Sequence, residues 1–104
     1  MSRFSLLLLA SMTFSVGGVC MKRADGLAHL GAAAGMFVSF LAGAALLSLA
    51  MRSHDLSSTY AVGLGLEAAI TFLIGLAVFG ESTSIWRMAG ALVTVAGIVM
   101  LEIA

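Results

Sequence analysis

The stretch that decides the fold is Tyr60-Ala-Val-Gly-Leu-Gly-Leu-Glu67-Ala-Ala-Ile-Thr71, which places one carboxylate inside a long apolar run. That run extends from Thr59 to Gly80, and Glu67 is its only ionisable group apart from the phenol of Tyr60. As an α-helix that rises about 1.5 Å per residue, it is long enough to cross a hydrocarbon layer about 30 Å thick. The stretch therefore predicts a membrane-spanning helix with an acid near its centre.

A charge at that depth is costly, about 2.5–3.5 kcal/mol on insertion scales. A carboxylate lowers this cost by taking up a proton, so we expect Glu67 to exchange protons near neutral pH. The sequence leaves one alternative open, in which Glu67 stays protonated and donates a hydrogen bond to another helix, for example to a serine of the first span. Ionisable groups inside membranes usually serve a function, which favours proton exchange.

The composition of the whole chain is that of a membrane protein. Of its 104 residues, 62% are hydrophobic and 10% are charged, whereas soluble domains are about half apolar and about a quarter charged. The chain has no proline, and its mean hydropathy is +1.16. We predict an all-α fold, a single transmembrane domain over residues 1–104 with four spans, namely Phe4–Met21, Leu30–Met51, Thr59–Gly80 and Met88–Ala104.

The charges are nearly balanced between the two membrane faces that four spans define. The net charge is zero, which gives no indication of nucleic-acid binding. A protein with one fixed orientation concentrates Lys and Arg on the cytoplasmic side. Here Arg3 and Arg52 fall on one side, and the opposite side receives Lys22, Arg23 and Arg87. The near balance permits insertion in both orientations.

Around Glu67, helical spacing assembles a candidate site for protons and substrate. Tyr60, Gly63 and Thr71 follow at steps of three and four residues, so they share the face of Glu67. Gly63 leaves space beside the acid for a ligand or for a second helix. Tyr60 could stack against a cation, or it could be an ordinary interfacial aromatic residue, and the sequence favours neither.

Two further faces carry small or hydroxylated residues. Ser11, Ser15 and Gly18 share a face of the first span with Lys22, which indicates a helix-packing stripe, or a solute-facing one if it meets Glu67. The second span carries its own ladder of small residues and is interpreted as a packing scaffold that can also line a chamber. In the fourth span, Gly90, Thr94 and Gly97 form a face that predicts helix pairing and hence a dimer interface.

The sequence gives no support for a catalytic or metal site. His29 and His54 have no cysteine or carboxylate at metal-ligand spacing, and the single Cys20 cannot form an internal disulfide. No nucleophile–base pair and no phosphate-binding glycine loop is present. We therefore predict no metal, no cofactor and no enzymatic activity.

The chain resembles the small multidrug resistance family of the drug/metabolite transporter superfamily over nearly its whole length. The resemblance depends on the size, the four spans and several short motifs in the same order. These are Met21-Lys22 followed by Asp25-Gly26, Tyr60-Ala61 at the start of the third span, Phe79-Gly80-Glu81 at its end, and Gly90 with Gly97-Ile98. It implies an antiparallel, dual-topology homodimer in the inner membrane of a bacterium, with the first three helices around a substrate chamber.

One departure from the family affects the functional prediction. The family's essential acid lies in the first helix, seven residues before the Met of the Met-Lys pair, where this chain has Phe14. We expect that Glu67 replaces that acid and that Phe14 belongs to the same site. The predicted function is proton-coupled export of small cationic or amphipathic compounds. The alternatives left open are a flippase for lipid-linked sugars and a non-transporting partner subunit of a heterodimer or larger hetero-oligomer.

Overall fold

The computed structural model describes residues 2–52 and 54–103, and within them it contains four α-helices. These are α1, Arg3–Ala24; α2, Leu30–Ala50; α3, Leu56–Ala77; and α4, Ile85–Ile103. All four are long and apolar enough to cross a membrane. The predicted all-α fold with four membrane-spanning helices is confirmed. The last residue of the predicted fourth span, Ala104, lies outside the described residues.

Three of the helices, α1, α3 and α4, begin earlier than the apolar runs because polar side chains cap them. Ser2 accepts a hydrogen bond from the backbone N–H of Ser5, and α1 therefore starts at Arg3. Asp55 accepts one from the N–H of Ser58, so α3 starts at Leu56. Ser84 accepts one from the N–H of Arg87 at 3.3 Å. These side-chain oxygens satisfy backbone donors that have no partner within the helix.

The chain reverses between α1 and α2 at three consecutive residues with positive φ. Asp25, Gly26 and Leu27 have φ values of 48°, 64° and 73°. Gly26 adopts this conformation without steric cost because it has no side chain. After α3, Gly80 has φ 61°, which turns the chain back so that the Glu81 N–H donates to the Gly75 carbonyl at 3.1 Å.

Contacts along the helices establish an up-and-down arrangement. Three contacts show that α1 and α2 are antiparallel. Residues taken in order along α1 contact residues in reverse order along α2: Phe14 contacts Gly43, Gly17 contacts Phe40, and Cys20 contacts Gly35. The start of α1 meets the start of α3 through Arg3 and Thr59, and their ends meet through Lys22 and Glu81. The tight packing of α2 on α1 confirms the predicted role of its small residues.

The buried core lies between α1, α2 and α3, and α4 adds little to it. Its buried members are Leu7, Ala10, Leu47, Ala50, Val62 and Ile98. Ile98 is the only buried residue described in α4. It reaches α3 because Gly65 has no side chain: a Cβ there would lie 2.9 Å from Ile98 Cγ1. Most other residues described in α4 are exposed in the protomer.

Candidate functional site

The structure divides the predicted site residues between two places. Tyr60, Glu67 and Phe14 line one open groove of about 560 Å³. Ser11, Ser15, Gly63 and Thr71 lie instead where α1 packs on α3. The spacing correctly placed these residues on shared helix faces, but it could not show which part of the α3 face is covered by α1.

The α1–α3 interface is held by hydroxyl groups. The Ser11 hydroxyl donates to the Gly63 carbonyl at 3.0 Å, and the Thr71 hydroxyl donates to Ser15 Oγ at 3.0 Å. Ser11 and Ser15 are fully buried. Further along the same α1 face, Gly18 is next to the Thr71 methyl group. The stripe on the first span is therefore a packing surface, in line with the first of the two interpretations that the sequence allowed.

The space beside Gly63 is occupied by neighbouring helices rather than left open for a ligand. A Cβ at this position would lie 3.1 Å from Leu47 Cδ1 and 3.4 Å from Leu7 Cδ2. Of the two occupants that the sequence considered, the structure places packed helices here. Gly63 thus allows close approach of α3 to α1 and α2.

The groove that contains Glu67 is formed by residues of α1, α2 and α3 and by the residue after α2. Its lining consists of Phe14, Phe40, Ala44, Leu47, Ser48, Met51, Tyr60 and Glu67. Glu67 is half-buried, and Tyr60 is 45% exposed. The lining is mostly apolar and aromatic, with one carboxylate and the two hydroxyls of Ser48 and Tyr60. This is the composition expected of a site for an apolar cation.

Within residues 2–52 and 54–103, no side chain or backbone donor is hydrogen-bonded to the Glu67 carboxylate, and no cation is paired with it. The serines that could have served as its partner are engaged elsewhere: Ser11 with the Gly63 carbonyl and Ser15 with Thr71. Among the described residues of this protomer, Glu67 therefore makes no hydrogen bond to a serine of the first span.

Sequence reasoning missed part of the groove. Phe40, Leu47, Ser48 and Met51 were not selected, although α2 was given a secondary lining role. One signal was present in the sequence: Phe14-x-x-Gly17 and Phe40-x-x-Gly43 repeat the same spacing of an aromatic residue and a glycine. Only the antiparallel pairing of α1 with α2 shows why this repeat places two rings together.

Among residues 2–52 and 54–103, each membrane face carries one ion pair. On one face the Arg3 guanidinium binds the Glu102 carboxylate and donates to the hydroxyls of Ser58 and Thr59 at 3.4 and 3.3 Å. On the other face Lys22 Nζ lies 3.3 Å from Glu81 and 5.3 Å from the centre of the Phe79 ring. The Arg3 pair joins α1, α3 and α4, whereas the Lys22 pair joins α1 to the loop after α3.

The predicted dimer residues are available on the surface of α4. In the protomer, a Cβ added at Gly90 or Gly97 would meet no atom within 4 Å. The Thr94 hydroxyl donates to the Gly90 carbonyl of its own helix at 2.9 Å, and Thr94 is half-buried. The Thr94 methyl group faces α3, where a Cβ added at Gly65 would lie 3.9 Å from it, whereas Gly90 and Gly97 leave open space. The use of this face as a dimer interface remains a prediction.

These features define a class of protein: a small multi-pass membrane protein whose helices surround an acidic and aromatic groove. Comparison of the sequence with models of known families identifies the family. Residues 2–101 match the model of the family described as Small Multidrug Resistance protein. The chain belongs to this family, whose members are membrane-embedded exporters of small molecules.

Characterised relatives cover nearly all of the chain. It is 34% identical over 96 residues to "Multidrug resistance protein EbrB" of Bacillus subtilis, a match that covers 92% of this chain and 82% of that protein. It is also 29% identical over 99 residues to "Guanidinium exporter" of Yersinia pseudotuberculosis, with 95% of each chain covered. The family resemblance found in the sequence is confirmed.

Proposed function

We propose that the chain is a proton-coupled exporter of small cationic or amphipathic compounds, with Glu67 as the group that binds either protons or substrate. The observation that carries this proposal is the position of Glu67 in a mostly apolar groove beside Phe14, Phe40 and Tyr60. A carboxylate in such surroundings takes up a proton or pairs with a cation, because an isolated charge is costly there. The names of the relatives, a multidrug resistance protein and a guanidinium exporter, agree with a cationic cargo.

Competition for one carboxylate couples the export of the cation to the uptake of protons. When a cation occupies the groove, the Glu67 carboxylate is ionised and pairs with it. When protons bind, the cation must leave, since both need the same oxygen atoms. If the groove opens alternately to the two sides of the membrane, each exported cation is exchanged for protons. Tyr60 and Phe14 contribute aromatic surface for the cation.

Phe14 supports the hypothesis that the acid has moved between helices. This residue occupies the position at which the family carries its essential acid, and it lines the same groove as Glu67. A carboxylate on α3 can therefore reach the cavity that an acid at position 14 would reach. The chamber keeps one acid per protomer, supplied by α3 instead of α1.

We further propose that the working unit is an antiparallel homodimer in the inner membrane of a bacterium. Two inverted copies would recreate the inverted repeats from which many alternating-access transporters are built. The exposed face of Gly90, Thr94 and Gly97 would join the protomers through α4, where small residues allow close helix contact. The second protomer would then close the open side of the groove.

Proton release tests the shared carboxylate. Purified protein in weakly buffered detergent would be mixed with organic cations, guanidinium compounds and polyamines, and the pH followed. We expect wild type and Glu81→Gln, which alters a carboxylate outside the groove, to release protons. Glu67→Gln should release none while remaining dimeric. Release that persists in Glu67→Gln would refute the role of Glu67.

A rescue experiment tests whether the acid can be supplied from either helix. Phe14→Glu introduced into Glu67→Gln returns one carboxylate to the groove from α1. We expect proton release and transport in liposomes to recover at least in part.

The absence of the first-helix acid also favours a second candidate, a partner subunit that depends on another protomer's acid. Transport by the wild-type chain alone in liposomes would exclude that candidate.

A further inference from the structure

Two phenylalanine rings of the groove each pack against a glycine of the opposite helix. The ring of Phe14 on α1 lies against Gly43 of α2, where an added Cβ would be 3.1 Å from three ring atoms. The ring of Phe40 on α2 lies against Gly17 of α1, where an added Cβ would be 2.5 Å from Phe40 Cε1. Both glycines are buried.

The arrangement follows from the antiparallel packing of α1 on α2. Each helix carries an aromatic residue and, three residues later, a glycine on the same face. When the helices run in opposite directions, each ring meets the glycine of the other helix. The ring centres are 5.9 Å apart, which is within the range of interacting aromatic pairs, and the ring planes are inclined by 45°.

Because both rings line the groove that contains Glu67, their positions determine how much of it a ligand can fill. A side chain at position 43 would displace the Phe14 ring, since the helix backbone behind the glycine cannot retreat. Besides Glu67, the lining offers only the hydroxyls of Ser48 and Tyr60 as polar side-chain groups. A bound cation is therefore recognised mainly by its size, its apolar surface and its fit to the aromatic faces.

We propose that Gly17 and Gly43 are specificity-determining residues, which set the largest cation that the groove accepts by fixing the Phe40 and Phe14 rings. This inference rests on the proposed function, because it concerns the cargo of the same groove. The two glycines act through the rings and do not themselves touch the cation. The preferred cargo is a bulky organic cation with apolar substituents rather than a small one rich in hydrogen-bond donors.

Binding of cations of graded size tests the proposal. The probes are tetramethylammonium, tetraethylammonium, tetrabutylammonium and tetraphenylphosphonium, titrated calorimetrically into the dimer in detergent. In wild type we expect affinity to rise along the series as more apolar surface is buried. In Gly43→Ala, the ratio of the tetraphenylphosphonium affinity to the tetramethylammonium affinity should fall about tenfold, an effect between those of an exposed and a desolvated cation–π contact.

Gly31→Ala is the matched control. It makes the same substitution in the same helix, but its new Cβ would meet nothing within 4 Å. It should leave the affinity ratio unchanged. If Gly43 acts through the Phe14 ring, Gly43→Ala should have no effect on the ratio in a Phe14→Leu background, as a double-mutant cycle would show. If Gly43→Ala does not fold, Phe14→Trp serves as a second variant. Its larger ring takes up space in the groove and should lower the same affinity ratio.

The outcomes separate this inference from the proposed function. If wild type binds none of the four cations, this inference is overturned. The proposed function is overturned with it only if guanidinium compounds and polyamines release no protons either. If wild type binds them but Gly43→Ala and Phe14→Trp keep the wild-type ratio, only the role of the glycines is overturned. An equal change in Gly31→Ala and Gly43→Ala would likewise overturn it, since helix propensity would then explain the effect.

Discussion

Removing the carboxylate of Glu102 should destabilise the protein far more than removing that of Glu81, although both belong to an ion pair at a membrane face. Glu102 pairs with Arg3, and the two side chains are only 24% and 16% exposed. The pair joins the end of α4 to the starts of α1 and α3, and Ile98 is the only buried residue described in α4. The side chains of Lys22 and Glu81 are 55% and 46% exposed.

The magnitudes follow from these exposures. Unpairing a fully buried ion pair costs about 3–5 kcal/mol, whereas an exposed pair contributes about 0–1 kcal/mol. Arg3 keeps only two long hydrogen bonds, to Ser58 and Thr59, when Glu102 is removed. We expect Glu102→Ala to cost about 2–3 kcal/mol, which is about 30- to 150-fold in the unfolding constant. Glu81→Ala should cost less than about 1 kcal/mol.

The assay is reversible unfolding in mixed micelles with increasing mole fraction of denaturing detergent, followed by far-ultraviolet circular dichroism. Added salt should weaken the contribution of the Lys22–Glu81 pair more than that of the Arg3–Glu102 pair, because dissolved ions screen exposed charges more effectively than partly buried ones. Glu102→Gln keeps the shape of the side chain and one acceptor, and should lie between wild type and Glu102→Ala. Equal losses in Glu81→Ala and Glu102→Ala would refute the reasoning from exposure.

Two further predictions concern the cap of α3 and the surface of α4. Hydrogen bonds from the hydroxyl and the backbone N–H of Ser58 lower the pKa of Asp55 to about 2. The stability that this carboxylate contributes is present above its unfolded pKa and is lost as the pH falls from about 4 to about 2. Asp55→Asn, which keeps a capping oxygen but does not titrate, should lose less stability than wild type over that interval in acid unfolding curves; parallel curves would contradict this. Gly97→Leu should reduce the dimer fraction measured by sedimentation in detergent, because a Cβ there meets no described atom of the protomer within 4 Å while a larger side chain blocks close helix pairing. Gly31→Leu on α2, where a Cβ also meets nothing within 4 Å, should leave the dimer fraction unchanged. An undiminished dimer in Gly97→Leu would place the interface elsewhere.

The number of helices and the all-α fold were predictable because each membrane-spanning segment must meet the requirements of the lipid environment by itself. Each apolar run has to be helical, since backbone polar groups in lipid must be satisfied within the segment. Helix boundaries moved by a few residues where Ser2, Asp55 and Ser84 cap a helix, because capping depends on individual side chains and not on hydropathy. The turn at Gly26 and the packing role of the small residues in α2 were also predictable from local chemistry.

The candidate site was only partly predictable. Glu67 was identified because an acid in an apolar run is conspicuous at the level of composition, and Phe14 because it replaces a family motif residue. The spacing grouped Gly63 and Thr71 with Glu67, but the structure places both against α1. The grouping was incomplete because a helical repeat shows which residues share a face and not which neighbour covers that face.

The sequence by itself therefore determined four membrane-spanning helices, a lone acid in the third and small-residue faces in the others, since each depends on the residues of one segment. The tertiary structure alone decided which residues surround that acid. The antiparallel pairing of α1 with α2 brings Phe14 and Phe40 together, and the hydroxyls of Ser11 and Ser15 hold Gly63 and Thr71 against α1. These contacts join residues far apart in the chain, and their geometry is set by how whole helices pack.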